Sequence, residues 1–564
     1  MNKKNLFYLI LIVAVAILFR LWHLDKPEGM WNDEYLTWKI ASAKLPTEFF
    51  EGLRSNCHAP LHYLYLKLWM FIFHDQDKFL RLSSVVLGVL GVITMYFVAL
   101  EYKNKEGTQT ALAATTLCAI SSFLIYFSQE IRIYSLLFFI TTLMLLYALK
   151  IFNNPSKKNF AFYSLFCVLL ILTHTIGFVF VIFSTAALMV FAVPKKKNGN
   201  FMLYSILGVI LLTLPFVPLI ANILIKGSYF SQWWAPFNFS RTFFSLTDIY
   251  SPVLCDTFHI YNKFTDAFYK NNIVNLGFLV FAIIPTLIGI LCFINGALNP
   301  KRMQGYLLSV ILCTILTVLI AAMAGKIVFV TKYLIEIVPL IILITADGFV
   351  SFKSKGFRIA IATIFIVLNV FYFIVSETSA VRLIRKEGQR LPVLALSDMG
   401  LKKNDKIIFL YYAKEWFYKY VDFNNTDNEP FLNAAQITKH NYSFYFDGQY
   451  LKDRKLVENG QKAYRLVYAS DKNKFFDDRL NIETFKYLNK GSRLFVVDLT
   501  SVSFFPKNIL GQIVQNDDIY NTTPQLYLAM SYAKDFILNK AKKELEYDGY
   551  YNTGAWRIYV FKKA

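Results

Sequence analysis

Between residues 5 and 376 the chain alternates long apolar runs with short polar stretches, and beyond residue 376 that alternation stops. About 20 apolar residues are what an α-helix needs to cross a bilayer. The runs at 5–22, 79–100, 108–125, 132–150, 160–173, 177–193, 201–224, 273–294, 305–323, 331–350 and 357–376 predict about eleven transmembrane helices. The first follows Lys3 and Lys4 as in a signal peptide. No small-x-small cleavage site stands in Arg20-Leu21-Trp22-His23, so it reads as a retained anchor whose N-terminus is cytoplasmic. Two apolar segments are laid along the outer interface instead. One is 60–73, which is short for a span and carries Lys67; the other is 36–50.

Charge orients this array. If the first span exits the cytoplasm, the cytoplasmic loops hold Lys103 and Lys105; Lys150, Lys157 and Lys158; Lys195, Lys196 and Lys197; Lys301 and Arg302; and Lys353, Lys355 and Arg358. The agreement requires that 160–193 be two spans joined by a tight outward turn at Thr173-His174-Thr175-Ile176-Gly177. Residues 377–564 then lie outside the cytoplasm. There Lys406-Ile-Ile-Phe-Leu-Tyr-Tyr, Arg493-Leu-Phe-Val-Val-Asp-Leu and Trp556-Arg-Ile-Tyr-Val-Phe predict strands and Glu415 to Val421 a helix, which together make a soluble α/β domain. The expected organisation is a membrane domain over 1–376, with a first external loop at about 23–78, and the α/β domain over 377–564.

Composition agrees with a polytopic membrane protein: 56% of residues are apolar, 17% are aromatic, and mean hydropathy is +0.41. Residues 1–376 hold 30 Lys and Arg against 16 Asp and Glu, but these cations sit in loops between spans, where they set topology. Nucleic acid is therefore excluded as a partner. The six cysteines fall mostly inside apolar runs, with no C-x-x-C spacing, and read as small apolar fillers.

Chemistry-bearing residues gather on the outer side. Asp33 and Glu34, in Trp31-Asn-Asp-Glu-Tyr35, follow the first span. An adjacent acid pair at a membrane surface offers one carboxylate as a base and the other as an orienting group, the alternative being a solvated acidic pair. Arg54, His58 and His62 follow in the same loop, where two histidines alone make a weak zinc site. The turn between spans three and four contributes Ser128-Gln129-Glu130-Ile131-Arg132-Ile133-Tyr134, the next outer turn His174, and the turn before span ten Lys326, Lys332 and Tyr333. Charges near helix ends are costly unless paired, so Glu130 and Arg132 are either functional, or a local ion pair or headgroup anchor. In the outer loop 225–272, Trp233 and Trp234 can stack on sugars or anchor at the interface, and anchoring is favoured.

The ordered set Asp33-Glu34, His58-Ala-Pro-Leu-His-Tyr-Leu-Tyr-Leu-Lys-Leu-Trp69, Phe79-Leu-Arg-Leu-Ser-Ser-Val-Val-Leu-Gly88, Gln129-Glu-Ile-Arg-Ile-Tyr134 and Lys332-Tyr-Leu-Ile-Glu-Ile-Val-Pro339 resembles the GT-C membrane glycosyltransferases. Within them it is most similar to the dolichyl-phosphate-mannose protein mannosyltransferase-like group, which includes the aminoarabinose lipid A transferases. The resemblance covers residues 1–376. It implies transfer of a hexosyl or pentosyl group from a polyprenyl-phosphate carrier to a lipid, glycan or protein acceptor, in the cell envelope outside the inner (plasma) membrane.

By position, Asp33 then matches the family's general base, with Glu34 assisting. His58, Arg132, Lys332, Lys67 and Arg54 become the cations for the donor phosphate, and Gln129, Glu130, Tyr134, His174 and Tyr333 support them. Two departures stand out: Ala59 precedes Pro60 where the family commonly has two prolines, and Lys332 replaces an arginine and so loses its planar fork. A divalent metal ion stays open, since Cys57 stands where an acidic ligand would help.

Two other classes fit parts of the pattern: a transporter or flippase of lipid-linked sugars, and a non-catalytic envelope assembly factor. Transport sites place ionisable groups near mid-membrane, whereas here they cluster at the outer ends of spans, which favours an enzyme. The expected orientation is directly testable. A cysteine at Ser470 is expected to react with an impermeant thiol reagent on intact cells, and reaction only after lysis would overturn the topology.

Overall fold

The computed structural model describes residues 3–26, 29–55, 58–104, 107–192, 196–221, 249–250, 273–298, 302–324, 331–376, 390–402, 404–410, 420, 488–498, 538–539, 541–552 and 557–564. It divides into two compact units. One comprises Met1–Asp25 and Leu36–Val381, the other Lys26–Tyr35 and Arg382–Ala564.

The first unit is helical. Its elements are α1 (Lys3–Leu21), α2 (Asn32–Ala41, whose first residues belong to the second unit), α3 (Pro46–Ser55), α4 (Leu61–Phe73) and α5 (Asp77–Tyr102). They continue with α6 (Thr108–Ile120), α7 (Ser122–Ser128), α8 (Tyr134–Asn153), α9 (Lys157–Ile171), α10 (Thr175–Ala192) and α11 (Lys196–Thr213). The last are α12 (Ile273–Ala297), α13 (Arg302–Met323), α14 (Val338–Ser351), which a 3-10 segment Thr331–Ile337 precedes, and α15 (Lys355–Ser376).

Helix stands at each predicted span. Among the described residues seven helical stretches are long and apolar enough to cross a membrane, or up to eight if the bent pair α6 and α7 is one span. The chain is an integral membrane protein. Its core is contiguous, with α5 packed on α6 and α8 and α6 on α14. Large apolar side chains such as Phe71 (89% exposed) and Val190 (73%) point outward, as lipid contact demands. Small residues let the backbones close: a methyl on Gly348 of α14 would overlap the Cys292 carbonyl of α12.

Two local features depart from the sequence reading. The interfacial segment 36–50 is two helices, broken at 42–45, with Pro46 opening α3 where its missing N–H costs nothing. The third span bends by 58° at Ser121, whose hydroxyl accepts from Leu124 N (3.4 Å) and so caps α7. The division of 160–193 holds, with α9 ending at Ile171 and α10 starting at Thr175. There the carbonyl just past α9 is satisfied from outside, as Leu61 N donates to Leu172 O (2.9 Å), and Gly177 lies so close to Leu170 O that a β-carbon would stand 2.7 Å away.

The bend between α6 and α7 exposes carbonyls inside the unit, and a bilayer offers no water to satisfy them. Arg20, at the end of α1 and fully buried, does so: it donates to Cys118 O (3.0 Å), Ala119 O (3.2 Å), Ala16 O (3.2 Å) and the Ser128 hydroxyl (3.2 Å). A cation at a helix C-terminus also opposes the helix dipole.

In the second unit the described strands are β1 (Lys406–Leu410), β2 (Arg493–Asp498), β3 (Glu546–Asn552) and β4 (Arg557–Lys562), in the order β1-β2-β4-β3. β1 and β2 are parallel, as in an α/β crossover; β4 runs antiparallel to both β2 and β3, which makes the sheet mixed. β3 and the helix α16 (Arg390–Asp398) were not expected from sequence. The expected helix Glu415 to Val421, like Trp233 and Trp234, lies outside the described residues apart from Tyr420. Arg493 ties β2 to the start of β1 through Asp405 (2.7 Å) and the carbonyls of Met399 (3.0 Å) and Gly400 (2.6 Å).

Replacing Arg20 by Met leaves those carbonyls unpartnered. The expected cost is about 3 kcal/mol or more, read as a lower thermal midpoint of the detergent-solubilised protein, and an unchanged midpoint would show that the carbonyls are satisfied otherwise.

Candidate functional site

The polar turn between α7 and α8 is anchored by its own side chains. The Gln129 amide nitrogen reaches the carbonyls of Phe19 (3.2 Å), Arg20 (3.2 Å) and Trp22 (2.7 Å), and so caps α1. Ser84 donates to Glu130 O (2.6 Å), while the Tyr134 ring packs on Phe127 at 4.5 Å. The backbone on both sides of Arg132 is thereby fixed. Its guanidinium, on a residue only 5% exposed, donates through Nη1 to the Thr37 hydroxyl (2.8 Å) and through Nη2 to His58 Nε2 (2.9 Å).

Donor logic assigns the histidine protons. Arginine only donates, so His58 accepts at Nε2 and carries its hydrogen on Nδ1, a buried atom with no hydrogen-bond partner among the described residues. His174 accepts from Ile176 N at Nδ1 (3.2 Å), which puts its hydrogen on Nε2. The two rings lie 5.6 Å apart, and Tyr333 stacks on His174 at 5.7 Å. Lys332, buried, places its ammonium 5.4 Å from the Tyr333 ring centre. Glu336, wholly buried, has Oε1 3.8 Å from His174 Nδ1.

Both His58 and His174 are held neutral. Burial is the first cause for each. Arg132, His174, Lys332 and His62 add to it at His58, whose pKa falls well below the ordinary value; Arg132 and Lys332 add to it at His174, whose pKa falls to about 3. His62, whose two ring nitrogens have no hydrogen-bond partner, is likewise lowered to about 3 by burial and then by Arg132. Two basic side chains, Arg132 and Lys332, thus share a buried space with an unsatisfied N–H. Such a space attracts an anion.

The other sequence candidates are placed differently. Lys67 donates to the carbonyls of Ala41 (3.4 Å) and Ala43 and so closes the C-terminal end of α2, and Arg54 is exposed in the last turn of α3. Glu34 is buried and accepts from Trp31 N (3.4 Å), the N3 half of a capping box, while Asp33 is half-buried in the first turn of the same helix. Gln129, Glu130 and Tyr134 build the turn that holds Arg132; His174 and Tyr333 belong to the cluster itself. Among the described residues no group of three or more His, Cys, Asp or Glu is arranged to hold a metal ion, and Cys57 lies outside them.

Thr37 and Glu336 were not singled out from the sequence. The signal for Glu336 was an acid inside an apolar run, Leu334-Ile-Glu-Ile-Val338. Thr37 left no such signal, since its role comes from a partner 95 residues away.

No family model matches the sequence, and no curated protein matches it either. Folds are more informative. ArnT from Cupriavidus metallidurans in its apo state superposes over 99% of this chain and 98% of its own, with a TM-score of 0.50 at 10% identity. The chain has the GT-C fold. The same ArnT bound to undecaprenyl phosphate aligns over 98% of this chain and 97% of its own, at 11% identity and a TM-score of 0.42. The S. cerevisiae protein O-mannosyltransferase Pmt1-Pmt2 complex bound to the sugar donor aligns over 42% of this chain at 14% identity and a TM-score of 0.31. The chain spans about a third (36%) of that yeast chain.

The neutral histidines predict how stability depends on pH. Unfolded His174 takes a proton near 6.5 and the folded one only near 3, so below about pH 6.5 the unfolded state binds more protons. Stability is full above that pH and declines as pH falls towards 3. His174→Gln removes this contribution, so its thermal midpoint is expected to drop less than the wild type's between pH 7.5 and pH 5, the gap corresponding to about 2 kcal/mol. Identical drops would mean that His174 is not held neutral in the fold.

Proposed function

We propose that the chain transfers a sugar from a polyprenyl-phosphate-linked donor to a lipid, glycan or protein acceptor on the extracytoplasmic side of the inner membrane. The observation that carries this reading is the buried cluster of Arg132, Lys332 and His58, whose Nδ1–H has no partner among the described residues. It suits a phosphate that must shed water to enter a membrane protein. The shared fold supports the donor class, ArnT itself having been solved with undecaprenyl phosphate. The side of the membrane rests on the loop charges, and on that reading residues 377–564 form an external domain.

In the proposed reaction the acceptor hydroxyl attacks the anomeric carbon, its proton passes to a carboxylate base, and the bond to the phosphate oxygen breaks with its electron pair on the phosphate. Arg132, Lys332 and the His58 N–H offset the charge that develops there. Asp33 is our candidate base, on its residue type and place in the chain. Glu34 keeps only an assisting part, because its carboxylate already caps α2.

Asp33→Asn keeps the side chain's shape but cannot take a proton. It is expected to reduce transfer by about 10²–10⁴ while donor binding persists. Arg132→Ala is expected to weaken donor binding and turnover together. Sugar transfer and donor affinity measured for both in the same membranes are the check; near-normal transfer by Asp33→Asn would pass the base role to Glu34 or Glu130, and unimpaired donor binding by Arg132→Ala would refute the phosphate site.

A further inference from the structure

The segment that carries Asp33 belongs to the second unit. Lys26–Tyr35 groups with Arg382–Ala564, and only from Leu36 onward does α2 belong to the first unit. These two parts of the second unit lie far apart in sequence, so what joins them bears directly on the place of the proposed base.

Three successive backbone N–H groups lead into α2. Gly29 N donates to Lys26 O (3.0 Å) and Trp31 N to Glu34 Oε2 (3.4 Å), and both bonds are local. Between them Met30, wholly buried, donates its N–H to the Tyr420 hydroxyl, 390 residues further along the chain. A backbone N–H in a buried residue is costly to leave unpaired, so the entry into α2 depends on a side chain of the α/β domain.

The fit around that bond is close. Gly29 has φ +78°, a conformation that side chains disfavour, and a β-carbon on it would stand 2.5 Å from the Tyr420 hydroxyl oxygen and 2.8 Å from the Arg390 β-carbon. Arg390, the first residue of α16, also sets its guanidinium over the Tyr420 ring, 5.5 Å from the ring centre. The tyrosine is thus held by a cation on its ring while its hydroxyl holds the backbone three residues before Asp33.

We infer that Tyr420 is a positioning residue for Asp33: through the Met30 N–H it fixes where α2 begins, and with it where the carboxylate at position 33 stands. Tyr420 has this role only if the proposed function holds, with Asp33 taking the acceptor's proton. The α/β domain then takes part in the chemistry by setting the base. Turnover is what such a residue governs, because proton transfer is sensitive to displacements of an ångström. Donor binding is not, since Arg132 and Lys332 belong to the first unit.

The experiment is a double-mutant cycle on the full chain in membranes. Tyr420→Phe keeps the ring and loses the hydroxyl. Transfer from a tritium-labelled extract of polyprenyl-phosphate sugars is expected to fall about tenfold to hundredfold, while affinity for undecaprenyl phosphate is unchanged. In an Asp33→Asn background, which has no base left to misplace, the same change is expected to lower the residual transfer by less than about twofold, read in long incubations. Arg390→Leu leaves the hydroxyl but removes the cation from its ring; it is expected to act in the same direction, by less, and again only when Asp33 is present. It decides the matter by the same measurements if Tyr420→Phe does not fold. Normal transfer by the folded variant, an equal loss in both backgrounds, or a loss of affinity for undecaprenyl phosphate overturns the inference and leaves the proposed function standing. A wild type that does not bind undecaprenyl phosphate, or normal transfer by Asp33→Asn alone, overturns the reading beneath it as well.

Discussion

Polar backbone inside a membrane protein must find its partners within the protein, and this constraint governs the first unit. Arg20 and Gln129 answer it at one junction: the arginine of α1 takes the free carbonyls of α6, and the glutamine after α7 takes the free carbonyls of α1. Ser128, bonded to Arg20, links the two. Each helix end is therefore completed by a side chain of another. The turn that presents Arg132 is held by the same bonds, so the place of the guanidinium follows from how the helices end.

Arg132 then orders what lies around it. Because it can only donate, it fixes the tautomer of His58, and because it is buried it helps keep His58, His62 and His174 uncharged. The cluster's cationic side chains are thus Arg132 and Lys332, while the imidazoles contribute directed N–H groups. An anion bound there meets fixed donors, with little reorganisation needed.

The spans were legible in the sequence because long apolar runs have few alternative fates, and the break at 172–174 was legible because loop charges alternate only if it exists. The cluster members Arg132, His58, His174 and Lys332 could be nominated from their places at span ends. Other roles could not be read, because the partners are backbone atoms far along the chain. Lys67 serves carbonyls 24 and 26 residues away, and Gln129 serves carbonyls more than 100 residues away, so both read as site residues while both close helices. Glu34 misled for a nearer reason, since an acid three residues into a helix caps it as readily as it catalyses. β3 was missed because Glu546-Tyr-Asp-Gly-Tyr-Tyr-Asn552 lacks the apolar run of a buried strand.

The brevity of α9 has a consequence for depth. Its 15 residues rise about 22 Å, against roughly 30 Å of hydrocarbon, while α5 with 26 residues rises about 39 Å. A helix that short does not reach across the hydrocarbon, and His174 sits in the turn that follows it. The surrounding lipid either thins to meet it or leaves a depression open from the side. On the proposed function, a lipid-borne phosphate entering by this route would move below the plane of its own headgroups, and Arg132 and Lys332 would replace the water it leaves behind.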